Sequence, residues 1–131
     1  ERLGMVQGKA RCFLGGYSLA GLFALWSGYQ TDKFCGVAGV SPSVWYEGWL
    51  EFAAKSSLHA ESVYLSLGTK EENAKHPVLA QIGHRIREYA HILADAKHSP
   101  RHVLEWNEGG HFSDSDTRTA KGFVWLLQNG S

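Results

Sequence analysis

Gly15-Gly16-Tyr17-Ser18-Leu19-Ala20-Gly21 follows the short apolar run Arg11-Cys12-Phe13-Leu14 and leads into a stretch with helical spacing of Ala, Leu, Phe and Trp over residues 19–29. A serine between a strand and a helix sits on a sharp, strained turn, so the positions around it must be small where the two elements pack closely. Gly16 supplies one such position before Ser18 and Ala20 the other after it, giving G-x-S-x-G with alanine in the last place. Ser18 is therefore a candidate nucleophile. The helix N-terminus behind it favours a developing negative charge, with the Leu19 N–H as one oxyanion donor. The competing reading is a glycine-rich turn that only joins a strand to a helix. A phosphate-binding loop does not fit: Gly16 and Gly21 have the spacing, but Leu22-Phe23 stands where Lys-Ser/Thr is required, and G-x-G-x-x-G is not matched.

The rest of the chain alternates in the same way. Residues 11–14 read as a buried strand and 19–29 as a helix with Gly28 near its end. Residues 34–40, small and β-branched, read as a strand stopped at Ser41-Pro42, because the residue before a proline avoids the helical region. After the aromatic loop Val44-Trp45-Tyr46, residues 47–57 suit a short helix. Residues 62–67 form the clearest strand, stopped by Gly68. Residues 78–96, preceded by Pro77, carry Val78, Leu79, Ile82, Ile86, Tyr89 and Leu93 at helical period. Residues 102–106 suit a strand, and 116–128 a helix with Phe123, Val124, Leu126 and Leu127 as its apolar side. Strict alternation of strand and helix predicts an α/β fold: a parallel sheet covered by helices on both faces. Ligands of such sheets bind at the carboxyl ends of the strands.

Two further stretches lie at predicted strand ends. Glu108-Gly109-Gly110-His111-Phe112 follows the last strand and precedes the last helix. A flexible loop there lets the His111 imidazole reach across the sheet to Ser18, take its proton and return it to a leaving group. Among seven histidines, an ordinary loop histidine is the competing reading, and it is the position that favours His111. Gly68-Thr69-Lys70-Glu71-Glu72 follows the third strand, and either glutamate could orient the imidazole and stabilise its cation. Loop position favours Glu71. The resulting chain order is serine, acid, histidine.

Composition narrows the function classes. Thirteen basic residues cancel thirteen acidic ones, which argues against nucleic-acid and anionic-membrane partners. No apolar run approaches the roughly 18–20 residues of a membrane span. Cys12 and Cys35 cannot build a disulfide scaffold and are not in CxxC spacing. No metal or cofactor motif is found: His98 and His102 are interrupted by Pro100, and His84 and His91 suit a wet helix face with Arg85, Arg87, Glu88 and Lys97 on its solvated side. Residues 1–9 read as the end of a helix and a turn, so the chain is expected to be a single domain, 1–131, that is part of a longer one.

Taken together, Gly-Gly-Tyr-Ser-Leu-Ala-Gly-Leu-Phe-Ala-Leu-Trp, Ser41-Pro42-Ser43-Val44-Trp45-Tyr46, Leu-Gly-Thr-Lys-Glu-Glu and Gly109-Gly110-His111 resemble an esterase family of α/β-hydrolases. That family includes enterochelin and other siderophore esterases, S-formylglutathione hydrolases and feruloyl esterases. The blocks fall in family order and span nearly the whole chain. The resemblance implies Ser18 as nucleophile, His111 as base and Glu71 as acid, although many members use Asp and some siderophore esterases use a Ser-His pair. It also places Trp45 and Tyr46 near an acyl or aromatic pocket, with core packing as the alternative for both. The chain departs from the family in lacking the strands that precede the elbow and the early loop that supplies the second oxyanion N–H. It is thus expected to carry the triad but not the whole site and to leave an apolar sheet edge open to self-association. Two cysteines and no visible signal pattern give the expectation of a cytoplasmic protein. The expected activity is hydrolysis of a small-molecule carboxylic ester. The alternatives are a non-catalytic interaction domain derived from an esterase, or a thioesterase or acyltransferase using the same residues.

Overall fold

Four parallel strands lie side by side in chain order in the computed structural model, which describes residues 11–129. They are β1 (Phe13–Tyr17), β2 (Gly36–Val40), β3 (Ser62–Gly68) and β4 (Arg101–Asn107). Between and after them come α1 (Leu19–Gln30), α2 (Trp49–Lys55), a 3-10 turn (Glu71–Asn73), α3 (Pro77–Ala80), α4 (Ile82–Asp95) and α5 (Ser115–Asn129). The α/β architecture expected from the alternation is present. The register aligns Tyr17 with Val40 and Val40 with Ser66, so β1 and β2 end level while β3 runs two residues further, to Gly68, which is level with Asn107 of β4.

Residues of β2 and β3 are buried throughout, as expected for central strands covered on both faces. Alternate side chains therefore serve two cores. On one face Val37, Val63, Leu65 and Leu67 pack with Leu25 of α1, Trp49 of α2 and Ile82, Ile86, Tyr89 and Leu93 of α4. On the other, Ala38, Val40 and Tyr64 pack with Leu126 and Phe123 of α5. Among the described residues β1 is paired on one side only.

Several boundaries differ from the sequence reading. β1 runs on through both glycines to Tyr17. A side chain at Gly15 would lie 2.7 Å from the Phe123 ring, so α5 can cross the sheet only where β1 is bare. The helix expected over 78–96 is broken at Gln81. His76 Nδ1 accepts the Val78 N–H at 3.2 Å to cap the short α3, and the Gln81 N–H closes back on the Val78 carbonyl at 3.3 Å. Val78 and Leu79 consequently leave the stripe and are largely exposed, while Ile82, Ile86, Tyr89 and Leu93 remain in the core. On α5, Val124 and Leu127 are exposed rather than inward. Its buried line runs through Arg118, Gly122 and Leu126, one residue per turn. Arg87 is also more than a solvated charge: it pairs with Glu72 at 2.9 Å and lies 4.7 Å over the Trp106 ring. The turn expected over 1–9 lies outside the described residues.

Candidate active site

The β1–α1 turn holds Ser18 at φ 62°, ψ −122°, a conformation that non-glycine residues adopt only when the surroundings enforce it. Here the backbone enforces it. The Ser18 N–H donates to the Val40 carbonyl at 2.9 Å, and the Ser18 carbonyl accepts from Leu22 and Ser43, each at 3.1 Å. The turn closes so tightly that a Cβ on Gly16 would meet the Ala20 carbonyl oxygen at 2.4 Å, and one on Gly21 the Gly16 oxygen at 2.9 Å. Leu19 is the first residue of α1, so its amide belongs to the helix N-terminal set that has no intrahelical acceptor.

The β4–α5 loop turns at Gly109, φ 112°, and delivers His111 above Ser18. His111 Nε2 lies 3.0 Å from Ser18 Oγ, and Nδ1 lies 2.8 Å from Glu71 Oε1. An ionised carboxylate can only accept. With Glu71 in that form, Nδ1 carries the imidazole proton and Nε2 is left to accept from the serine hydroxyl. The four strands each contribute at their carboxyl ends: Ser18 after β1, Ser41 after β2, Glu71 after β3 and His111 after β4.

The adjacent glutamates point in different directions. Glu71 is buried, with its side chain 5% exposed. Its Oε2 accepts the Gly68 N–H at 2.7 Å and the Ser41 hydroxyl at 2.5 Å. Glu72 turns outward to Arg87, with contacts of 2.9 and 3.3 Å. The imidazole is thus brought to Glu71 and not to Glu72.

A cavity of about 410 Å³ opens over Ser18 and His111, walled by Trp45, Leu79, Ile82 and Phe112, with Lys70 and Asn73 at its polar side. Of the two aromatic residues expected near a pocket, Trp45 lines this cavity. Tyr46 lies instead on a neighbouring apolar groove with Leu19, Phe23 and Trp26.

Three residues around the relay were not singled out in the sequence. Tyr17 stacks on His111 and its hydroxyl donates to the His111 carbonyl. Burial raises the Tyr17 hydroxyl pKa, Arg118 counteracting and Glu71 adding to the shift. Ser41, at φ 44°, bonds Glu71. Arg118, 2% exposed, reaches Ser41 and Glu71 from α5. The signal for Arg118 was its spacing: a charged residue in line with Gly122 and Leu126 must be inward and partnered.

No family model matches the chain, and no curated protein sequence matches it significantly. Solved structures do. The chain superposes on the siderophore hydrolase EstB from Aspergillus nidulans with a TM-score of 0.68 and 20% identity, over 88% of this chain and 48% of that one. For the enterobactin esterase FES from Shigella flexneri, solved in the presence of 2,3-di-hydroxy-N-benzoyl-glycine, the values are 0.67 and 22%, over 88% and 31%. The described residues have the fold of part of an α/β-hydrolase. The acylaminoacyl peptidase from Pyrococcus horikoshii superposes with a TM-score of 0.63 at 11% identity, over 92% of this chain and 24% of that one. The chain spans about half or less of the length of these structures. No helix among the described residues is long and apolar enough to cross a membrane.

Proposed function

We propose that the chain carries the reacting residues of a serine esterase that hydrolyses a carboxylic ester through an acyl-enzyme on Ser18. The observation that carries this reading is the continuous relay from Ser18 Oγ to His111 Nε2 at 3.0 Å and from His111 Nδ1 to Glu71 at 2.8 Å. Ser18 Oγ attacks the ester carbonyl carbon while its proton passes to His111 Nε2. The oxyanion forms beside the Leu19 N–H, where the α1 N-terminus favours negative charge. Collapse expels the alcohol, which takes the proton from Nε2. A water molecule then repeats the sequence on the acyl-enzyme and frees Ser18. Throughout, Glu71 holds the imidazole in the productive tautomer and balances its charge.

The Trp45, Leu79, Ile82 and Phe112 walls suit an apolar or aromatic acyl group, and Lys70 suits a polar or anionic substituent at the rim. Together with the fold shared with siderophore hydrolases, this favours a siderophore-like or aromatic ester. The strained, strapped Ser18 favours catalysis over a purely interacting domain, since a connecting turn has no need of that conformation.

The test is fluorophosphonate labelling with peptide mapping, beside hydrolysis of p-nitrophenyl butyrate, on the full-length protein and on Ser18→Ala. A single adduct on Ser18 and a loss of turnover of about ten-thousandfold or more are expected. Unchanged turnover in Ser18→Ala rules the reading out.

A further inference from the structure

We propose that Ser41 and Arg118 are a buried positioning pair that holds Glu71 in the one orientation from which it can direct His111. The proposal rests on the esterase reading for its catalytic consequence, but its geometry stands independently. Arg118 projects from α5 into the space beneath the relay and is 2% exposed. Its Nη2 donates to the Ser41 hydroxyl and lies 3.5 Å from Glu71 Oε2. Its Nη1 donates to the carbonyls of Gly110 and Ser113, at 3.4 and 3.2 Å, on either side of His111. One guanidinium therefore ties the loops after β2, β3 and β4 to α5.

The consequence for Glu71 is geometric. Oε2 takes the Gly68 N–H, the Ser41 hydroxyl and the Arg118 guanidinium, and Oε1 is left facing His111 Nδ1. A carboxylate with one oxygen held on three sides cannot rotate. The charges are matched as well: burying the Glu71 carboxylate alone would be strongly unfavourable, and Arg118 is its buried countercharge. Ser41 adopts φ 44°, which an L-residue avoids. In this position its hydroxyl links the cation to the carboxylate.

Ser41→Gly is the informative variant, because it removes the CH2OH group that carries the linking hydroxyl while glycine accepts φ 44° without strain. In the full-length protein this variant is expected to unfold cooperatively in urea, at a midpoint lowered by the loss of the buried bonds to Glu71 and Arg118. Its Ser18 labelling by fluorophosphonate should slow about ten- to a hundredfold, the effect of one hydrogen bond to a charged group. The fall should appear in kcat for p-nitrophenyl butyrate with KM unchanged. The downfield proton NMR signal of His111 Nδ1–H should weaken or move. Arg118→Met should lower labelling further, with partial rescue by Arg118→Lys. Wild-type labelling and an unshifted Nδ1–H signal in Ser41→Gly overturn the proposal, even if Arg118→Met does not fold. If Ser18 of the unsubstituted protein does not label, the esterase reading fails. The NMR signal then decides the pair alone: a shift in Ser41→Gly supports it and an unchanged signal overturns it.

Discussion

Tyr17 lies face to face with His111, ring centroids 5.1 Å apart and planes inclined by 28°, and its hydroxyl donates to the His111 backbone carbonyl. The residue before Ser18 thus clamps the loop that carries His111, so strand β1 sets both ends of the Ser18–His111 hydrogen bond. Tyr17→Phe keeps the stack and loses one hydrogen bond of about 1 kcal/mol, so Ser18 labelling should slow roughly fivefold. Tyr17→Ala loses both and should slow it further. Equal rates in all three proteins would show that the loop is held by other contacts.

The two adjacent glutamates should separate cleanly. Glu71→Gln replaces an acceptor with an amide that can present N–H to His111 Nδ1, so acylation should fall by about a thousandfold or more through the wrong tautomer. Glu72→Gln breaks only a partly exposed pair with Arg87 and should leave acylation intact, at about 1 kcal/mol or less of stability. Pre-steady-state acylation by p-nitrophenyl butyrate checks the order, and the reverse order would transfer the role to Glu72.

Packing at the elbow predicts a stability contrast between two glycines. A methyl on Gly16 would sit 2.4 Å from the Ala20 carbonyl oxygen, whereas nothing lies within 4 Å of one on Gly110. Gly16→Ala should destabilise by about 2 kcal/mol or more, since backbone must move to make room. Gly110→Ala should stay within about 0.5 kcal/mol. Urea unfolding measures both, and a wild-type midpoint for Gly16→Ala would contradict the close approach.

Alkaline pH should weaken the fold through its buried tyrosines. Burial raises the pKa of Tyr29, Tyr64 and Tyr89, and Tyr64 is raised further by its hydrogen bond to Glu105. A pKa raised in the folded state means that the stabilisation is fully present below the unfolded value near 10.0 and is lost as pH climbs through the folded value. The urea midpoint should therefore fall from about pH 10 upward, with tyrosinate absorbance lagging in the native protein and appearing on unfolding. Tyr89→Phe should reduce the slope. A midpoint flat through this range would show that these hydroxyls ionise without unfolding.

Local pattern determined the order of elements, the parallel sheet and the positions of Ser18 and His111 after their strands. Those features rest on spacing within a few residues: glycine beside a serine, apolar runs closed by turns, and periods of two or near four. Burial was less legible where it depended on partners distant in sequence. The two glycines of β1 read as part of the turn, because only Phe123 of α5 shows why a strand there must be bare. Residues 78–96 read as one helix, because the His76 cap and the Gln81 break are set by a few hydrogen bonds that hydrophobic period does not register. Loop position favoured Glu71 over Glu72 but gave no physical reason for one to face inward. On a 3-10 turn, neighbours point about 120° apart, and which one faces inward is decided by Gly68, Ser41 and Arg118, brought together from three elements. The sequence by itself determined which chemical groups lie at the strand ends. The tertiary structure alone decided which of them meet, because a hydrogen bond between residues 93 positions apart, as from Ser18 to His111, exists only once the sheet has brought its strand ends together.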